Sequence, residues 1–184
     1  MQKTQNRQEM KQSTGLAKPE NRLKPEAAGR ILLATLLAKT GIEATLDDIK
    51  TEENGKPYLE GFSGVEFNIT HSKGFVACVL SLGEGRVGVD AEPSEIAYSP
   101  EKQKAFADRF FSESERNSLA LGEKSFSELW TRREACLKMT GAGFVAGVGK
   151  PLDDANCATF CIDGYTVTVA AESDAQIEII AYNK

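Results

Sequence analysis

Three helix-start signals, grouped between two blocks of short strand patterns, constrain the fold of this chain more than any other feature. Ser99 precedes Pro100 and a helical pattern, and Ser112 and Ser125 each precede a helical pattern with a glutamate three residues later, as in a capping box. The strand patterns are VEFNITH, FVACVLSLG and VGVDAEP before the helices, and ATFCI, YTVTVAA and IEIIAY after them. With a further helix at the start, this order predicts an α+β domain of antiparallel sheets with packed helices.

A leucine-rich helix is expected to open the domain. Its pattern begins near Pro25, a residue that suits a first helical turn, and ends at Gly41. Residues 1–20 are polar and carry no hydrophobic periodicity. We therefore predict a flexible N-terminal arm over 1–20 and a folded domain over 21–184.

The strand blocks carry two topological expectations. The first three strands are closely linked, which suggests an antiparallel meander, and the last three are expected to form a closing antiparallel sheet. The two blocks have similar lengths, so we expect two pseudo-symmetric halves at about 21–95 and 96–184, although no sequence repeat relates them.

Composition narrows the class of protein. The 184 residues carry a net charge of −5, which argues against a general nucleic-acid binder, and no apolar stretch is long enough to span a membrane. The four cysteines include no pair at C-x-x-C spacing, so free thiols in a reducing compartment are expected rather than a zinc or redox site. We predict a cytoplasmic protein with no nucleic-acid or membrane partner.

The segment VGVDAEP places two carboxylates in an apolar run. In a strand, Val87, Val89 and Ala91 point to one face, and Asp90 and Glu92 point to the other. Two carboxylates on one face could hold a magnesium ion, which would relieve their mutual repulsion. The alternative is a solvent-facing strand that carries two ordinary acids, and spacing alone favours this alternative.

Three further segments hold polar residues that could be functional. Trp130, Glu134 and Lys138 lie four residues apart and share one helix face, which also fits a simple surface ion pair between Glu134 and Lys138. The only histidine, His71, stands among polar neighbours where a strand ends, a setting that suits a phosphate group but is more often structural. Lys56 lies in a turn, where a lysine is ordinarily solvated.

The order of these segments is more informative than any one of them. NGKPYL, FNITHS, VGVDAE and LWTRREACLK resemble the surfactin-synthetase-type 4′-phosphopantetheinyl transferases, which carry G-K-P, F-N-[IV]-[ST]-H-[ST], G-[IV]-D-x-E and W-x-x-[KR]-E-[AS]-x-x-K. The four segments span 54–138, and the resemblance extends over about 22–181. Three features depart from the family: Arg133 stands where a lysine is usual, Ala142 replaces the lysine of a G-K-G segment, and no opening strand is evident in 1–20.

The resemblance implies a phosphopantetheinyl transferase-like fold and a transfer reaction. In that family, 4′-phosphopantetheine passes from coenzyme A to a serine of an apo acyl or peptidyl carrier protein, and adenosine 3′,5′-bisphosphate is released. Asp90, Glu92 and Glu134 would hold magnesium on the pyrophosphate. Glu134 would also take the serine proton, and Lys138 would offset charge that develops on the reacting oxygens.

The resemblance also implies a binding site for coenzyme A. Thr70 and His71 would contact its phosphates, Lys56 and Pro57 would line its adenine and ribose-phosphate side, and Arg30 would reach the 3′-phosphate. The carrier protein would dock on the helices between 100 and 125 and on the FVAGVG segment after Gly143. Phe110 and Phe111 could serve either the core or this docking surface, with the core favoured for at least one of them.

Two other functions remain open at this stage. One is a magnesium-dependent phosphohydrolase that uses the same three acids and needs no carrier protein. The other is a non-catalytic homologue that binds coenzyme A or a carrier without turnover, although such a copy would be expected to lose at least one costly buried acid. The length favours a monomer, and the sequence does not select a carrier or a pathway.

Overall fold

A computed structural model describes residues 23–141, 156–172 and 176–183. It has the predicted α+β architecture with antiparallel sheets. The helices and strands, in chain order, are α1 Pro25–Thr40, β1 Ile49–Thr51, β2 Pro57–Leu59, β3 Val65–Ser72, β4 Phe75–Leu82, β5 Val87–Pro93, α2 Pro100–Phe110, α3 Glu113–Ala120, α4 Phe126–Thr140, β6 Asn156–Ile162, β7 Tyr165–Ala171 and β8 Gln176–Asn183. The predicted arm over 1–20 and the FVAGVG segment lie outside the described residues.

The helices begin and end where the sequence predicts. α1 has Pro25 in its first turn, and Gly41 closes it in the left-handed conformation at a φ of 73°. Ser99 accepts a hydrogen bond from the backbone of α2, and both expected capping boxes are present, at Ser112 before α3 and Ser125 before α4.

The sheets differ from the predicted topology. β3 and β4 form the expected antiparallel pair, but β5 pairs with β7 and not with β4, so the three-strand meander is wrong. The single closing sheet is also wrong, because β6 and β7 join β5 while β8 pairs with β4. β4 is apolar on both faces and is buried between its two neighbours β3 and β8, which leaves no free edge for β5.

Side chains that alternate between the two faces of β4 contribute to the two main hydrophobic cores. Val76 and Cys78 face α1, whereas Ala77 and Val79 face Val89 and its neighbours on the second sheet. The layers therefore run from α1 through the β3-β4-β8 sheet and the β5-β7-β6 sheet to α4. Strands of the two expected halves are exchanged between these sheets, and the division at about residue 95 stays a prediction.

Two local features complete the fold. β1 and β2 form a small antiparallel hairpin, and Lys56 lies in the turn that joins them. Phe110 and Phe111 are both buried and pack with Phe126 and Trp130, so both belong to the core, as was favoured for at least one. Among the described residues, none of the helices combines the length and apolar character needed to cross a membrane.

Candidate functional site

The close approach of α4 to β5 creates the candidate site. A Cβ atom on Gly88 would lie only 2.1 Å from the backbone oxygen of Ala135, so only glycine allows this separation. Thr131 of α4 also bonds Thr168 of β7 at 2.8 Å between their hydroxyl oxygens. The helix is thereby fixed with Glu134 beside the carboxylates of β5.

Asp90 is the best-buried acid of the site, with 6% of its surface exposed. Its Oδ1 accepts a hydrogen bond from Lys138 Nζ at 2.6 Å and another from Thr70 Oγ1 at 3.2 Å. The alternative of two acids on a solvent-facing strand is therefore wrong for Asp90. Lys138 pairs with Asp90, so the simple surface pair with Glu134 is not the arrangement that the structure shows.

Glu92 has a different environment on the same strand face. It is half-buried, and its Oε2 accepts a hydrogen bond from Ser72 Oγ at 2.9 Å. Burial raises the pKa of Glu92 above its usual range, and the neighbouring Asp90 adds to this, although the Ser72 hydrogen bond opposes it. Asp90 and Glu92 therefore repel each other, and Lys138 and the Ser72 hydrogen bond offset part of this repulsion.

Glu134 lies on α4, close enough to Asp90 and Glu92 for their negative charges to act on it. The pKa of Glu134 is raised from 4.5 to about 7, chiefly by burial and by the negative charges of Asp90 and Glu92, while Lys138 acts in the opposite direction. A carboxyl group that titrates near neutrality can accept and release a proton under cellular conditions.

The donor set fits a hard cation in its chemistry. Asp90 Oδ2 is buried and has no hydrogen-bond partner within the described residues, a state that is costly unless a ligand reaches it. Carboxylate oxygens are the ligands that magnesium prefers. In the described parts of the chain, however, no three acid, histidine or cysteine side chains form a ready-made metal-binding group.

A cavity of about 240 Å³ opens beside Glu134 and Lys138. Its lining residues are Asn54, Gly55, Lys56, Pro57, Asn68, Ile69, Glu134, Leu137, Lys138 and Gly141. Lys56 and Pro57 are therefore cavity residues, but the Lys56 ammonium is buried and already bonds Glu66 Oε2 at 2.5 Å and the Met139 oxygen at 3.3 Å.

The structure separates the two neighbours Thr70 and His71. Thr70 points to Asp90, whereas the exposed His71 follows Ile69 to the opposite face of β3. Ile69 packs against Gly29 of α1, and the exposed Arg30 follows Gly29. Arg30 and His71 thus belong to the α1 side of the site, and neither lines the cavity beside Glu134.

A row of side chains that was not predicted from the sequence joins β3 to β5. Asn68 Oδ1 accepts the Val89 amide at 3.0 Å, Thr70 bonds Asp90, and Ser72 bonds Glu92. Within the described residues these two edge strands share no backbone ladder, so this row holds them together. The alternation in FNITHS could have indicated that its second, fourth and sixth residues, Asn68, Thr70 and Ser72, share one face and act together.

Two arginines near α4 have structural roles that the sequence did not reveal. Arg133 is buried, forms an ion pair with Glu115 and lies over the Phe111 ring, so it ties α4 to α3. The Arg86 guanidinium donates to the backbone oxygen of Thr140 at 2.8 Å and so caps the C-terminal end of α4. It also forms an ion pair with Glu52.

Comparisons with known proteins agree on one family. The sequence profile of the 4′-phosphopantetheinyl transferase superfamily matches residues 86–181, slightly more than half of the chain. The 4′-phosphopantetheinyl transferase psf-1 of Bacillus pumilus is 34% identical over 107 residues, which cover 54% of this chain and 42% of that protein. For the 4′-phosphopantetheinyl transferase Sfp of Bacillus subtilis (strain 168) the identity is 32% over 139 residues, with coverages of 70% and 57%.

A third relative is the 4′-phosphopantetheinyl transferase HetI of a Nostoc species, 32% identical over 133 residues, which cover 68% of this chain and 54% of that protein. The chain thus spans between about two fifths and three fifths of the length of these relatives.

Proposed function

The chain belongs to the 4′-phosphopantetheinyl transferase superfamily, and on this premise we propose that it transfers 4′-phosphopantetheine from coenzyme A to a serine of an apo acyl or peptidyl carrier protein. The observation that carries the proposal is the meeting of Asp90, Glu134 and Lys138 beside one cavity. Adenosine 3′,5′-bisphosphate would be the second product.

The reaction needs positioning and charge neutralisation more than covalent catalysis. The serine oxygen attacks the pantetheine-bearing phosphorus, and the bond from this phosphorus to the bridging pyrophosphate oxygen breaks. Asp90, Glu92 and Glu134 would hold a magnesium ion, and the buried Oδ2 of Asp90, which has no hydrogen-bond partner among the described residues, supports this assignment. When bound, the ion would neutralise pyrophosphate charge.

Glu134 and Lys138 are the proposed catalytic residues. Glu134 takes the proton from the carrier serine, directly or through a water molecule. The Lys138 ammonium, 2.6 Å from Asp90, stays near the reacting phosphates and offsets charge on the leaving oxygen.

Coenzyme A is proposed to lie across β3, between the cavity and α1. Thr70 and His71 would contact its phosphates from the two faces of this strand, and Arg30 would reach the 3′-phosphate from α1. Lys56 and Pro57 would line the adenine and ribose-phosphate side of the site. The carrier is proposed to dock on the helices between 100 and 125, and the protein is proposed to act as a cytoplasmic monomer.

The direct test is incubation with magnesium, coenzyme A and a panel of apo carrier proteins, followed by mass spectrometry. The proposal expects at least one carrier to gain a single 4′-phosphopantetheine, with an equal amount of adenosine 3′,5′-bisphosphate. A carrier with alanine in place of its serine is the control and should gain nothing.

Other outcomes of this experiment would contradict the proposal. Free phosphopantetheine with no modified carrier would indicate a phosphohydrolase. Binding of coenzyme A without turnover on any acyl or peptidyl carrier would indicate a non-catalytic homologue.

A further inference from the structure

We propose that Cys136 and Cys157 are a redox modification site, a pair of thiols that closes to a disulfide between α4 and β6. Their sulfur atoms lie 3.5 Å apart, although the residues are far apart in sequence. A disulfide bond is about 2.05 Å long, so closure requires the two sulfur atoms to move roughly 1.5 Å closer together. The inference stands on this geometry and does not depend on the transfer reaction.

The backbone around the pair is held in place. Cys157 is in register with Ala170 of β7, and Ala170 packs against Cys136 and Met139 of α4. The small side chains of Ala135 and Ala170 in this contact allow the helix to lie close to the sheet, where the two sulfur atoms meet. Closure would therefore link two elements that are already adjacent.

The surroundings favour reaction at Cys157. This thiol is half-buried, whereas Cys136 is buried, so a small oxidant reaches Cys157 first. The hydrogen bond from Cys136 lowers the pKa of Cys157, and the positive charges of Arg132 and Lys124 act in the same direction against the effect of burial. Two nearby cations would also attract an anionic disulfide such as oxidised glutathione.

The chemistry is thiol–disulfide exchange with a low-molecular-weight disulfide as the oxidant. The Cys157 thiolate attacks one sulfur of the oxidant, forms a mixed disulfide and expels one thiolate. Cys136 then loses its proton to solvent and attacks the Cys157 sulfur, which expels the second thiolate. The two protein thiols are oxidised, and the oxidant is reduced to two thiols.

The other cysteines provide matched controls. Cys161 is exposed on the same strand as Cys157, and four residues of strand, about 13 Å, separate them. Cys78 is buried in the core, where burial raises its thiol pKa to about 12. Neither has a second thiol beside it in the described structure.

The test is titration of the dilute, reduced protein with oxidised glutathione, followed by peptide mapping and thermal melting. We expect an intramolecular link between the peptides of Cys136 and Cys157, a melting temperature several degrees higher, and reversal of both by a reducing agent. Cys157→Ser and Cys136→Ala should abolish the link and the shift, whereas Cys161→Ser should keep both.

Two results would overturn the proposal. One is a stable glutathione adduct on Cys157 that Cys136 does not resolve in the wild-type protein. The other is oxidation that occurs only at Cys161 or only between molecules. Because both are read from the wild-type protein, poor folding of a variant would not obscure the answer.

Discussion

Asp90 and Glu92 share one face of β5 but have different hydrogen-bond partners. Asp90 is bonded by Lys138 and Thr70 through one oxygen, whereas its second oxygen is buried without a partner in the described structure. Glu92 is held by Ser72. Ser72 therefore positions the Glu92 carboxylate without being a proposed metal ligand itself.

Replacing Ser72 with alanine should weaken magnesium binding without removing any proposed ligand. We expect the magnesium concentration needed for tight coenzyme A binding to rise about tenfold, the low end for the loss of an outer-shell hydrogen bond. Calorimetric titration of coenzyme A at several magnesium concentrations measures this. Ser63→Ala, at an exposed serine, is the control, and an unchanged magnesium requirement in Ser72→Ala would contradict the assignment.

Glu134 should make the metal-free protein less stable as the pH rises toward neutrality. Its pKa is about 7 in the folded state against 4.5 without the fold, so the folded protein binds more protons in that interval. The free energy of unfolding should therefore fall as the pH rises from about 4.5 to about 7 and then level off. Glu134→Gln should show a weaker fall, as measured by denaturant unfolding in chelator. An equal slope in both proteins would show that Glu134 ionises normally.

At the scale of elements, the site depends on how closely α4 lies on β5. Gly88 permits this approach, because any side chain there would meet the backbone of Ala135. Gly29 makes a similar approach between α1 and β3, but a Cβ there would meet the Cγ2 methyl of Ile69 at 2.7 Å rather than backbone atoms. The two glycines therefore form a natural pair for comparison.

Gly88→Ala should displace α4 and cost about 1–3 kcal/mol of unfolding free energy. Gly29→Ala should cost less, because its new Cβ meets a side-chain methyl and not the backbone, and because alanine favours the helix. Denaturant unfolding gives both values, and carrier modification should fall more in Gly88→Ala, since the helix carries Glu134 and Lys138. Equal stability losses in the two variants would contradict the tight contact.

At the scale of the whole molecule, local signals predicted the elements and long-range pairing decided the sheets. Ser112, Ser125 and Gly41 marked helix ends correctly because capping depends on neighbours within a few residues. Local signals could not predict the partner strand of β5. It pairs with β7 because β3 and β8 occupy both edges of β4.

The same distinction applies to the candidate site. Asp90, Glu92, Glu134 and Lys138 were identified from four ordered segments and the family that they resemble. The sequence could not show that Lys138 bonds Asp90 rather than Glu134, or that Cys136 meets Cys157, because both contacts arise from the packing of α4 on a sheet.

The most direct test of the central claim is single-turnover transfer to a saturating apo carrier by wild type, Glu134→Gln and Lys138→Ala. Glu134→Gln keeps the size of the side chain but removes its charge and basicity, so the rate should fall by at least ~10²-fold while coenzyme A still binds. Lys138→Ala should also slow transfer, and Lys50→Ala, at an exposed ion pair with Glu60, should not. Near-wild-type rates in both Glu134→Gln and Lys138→Ala would contradict the account.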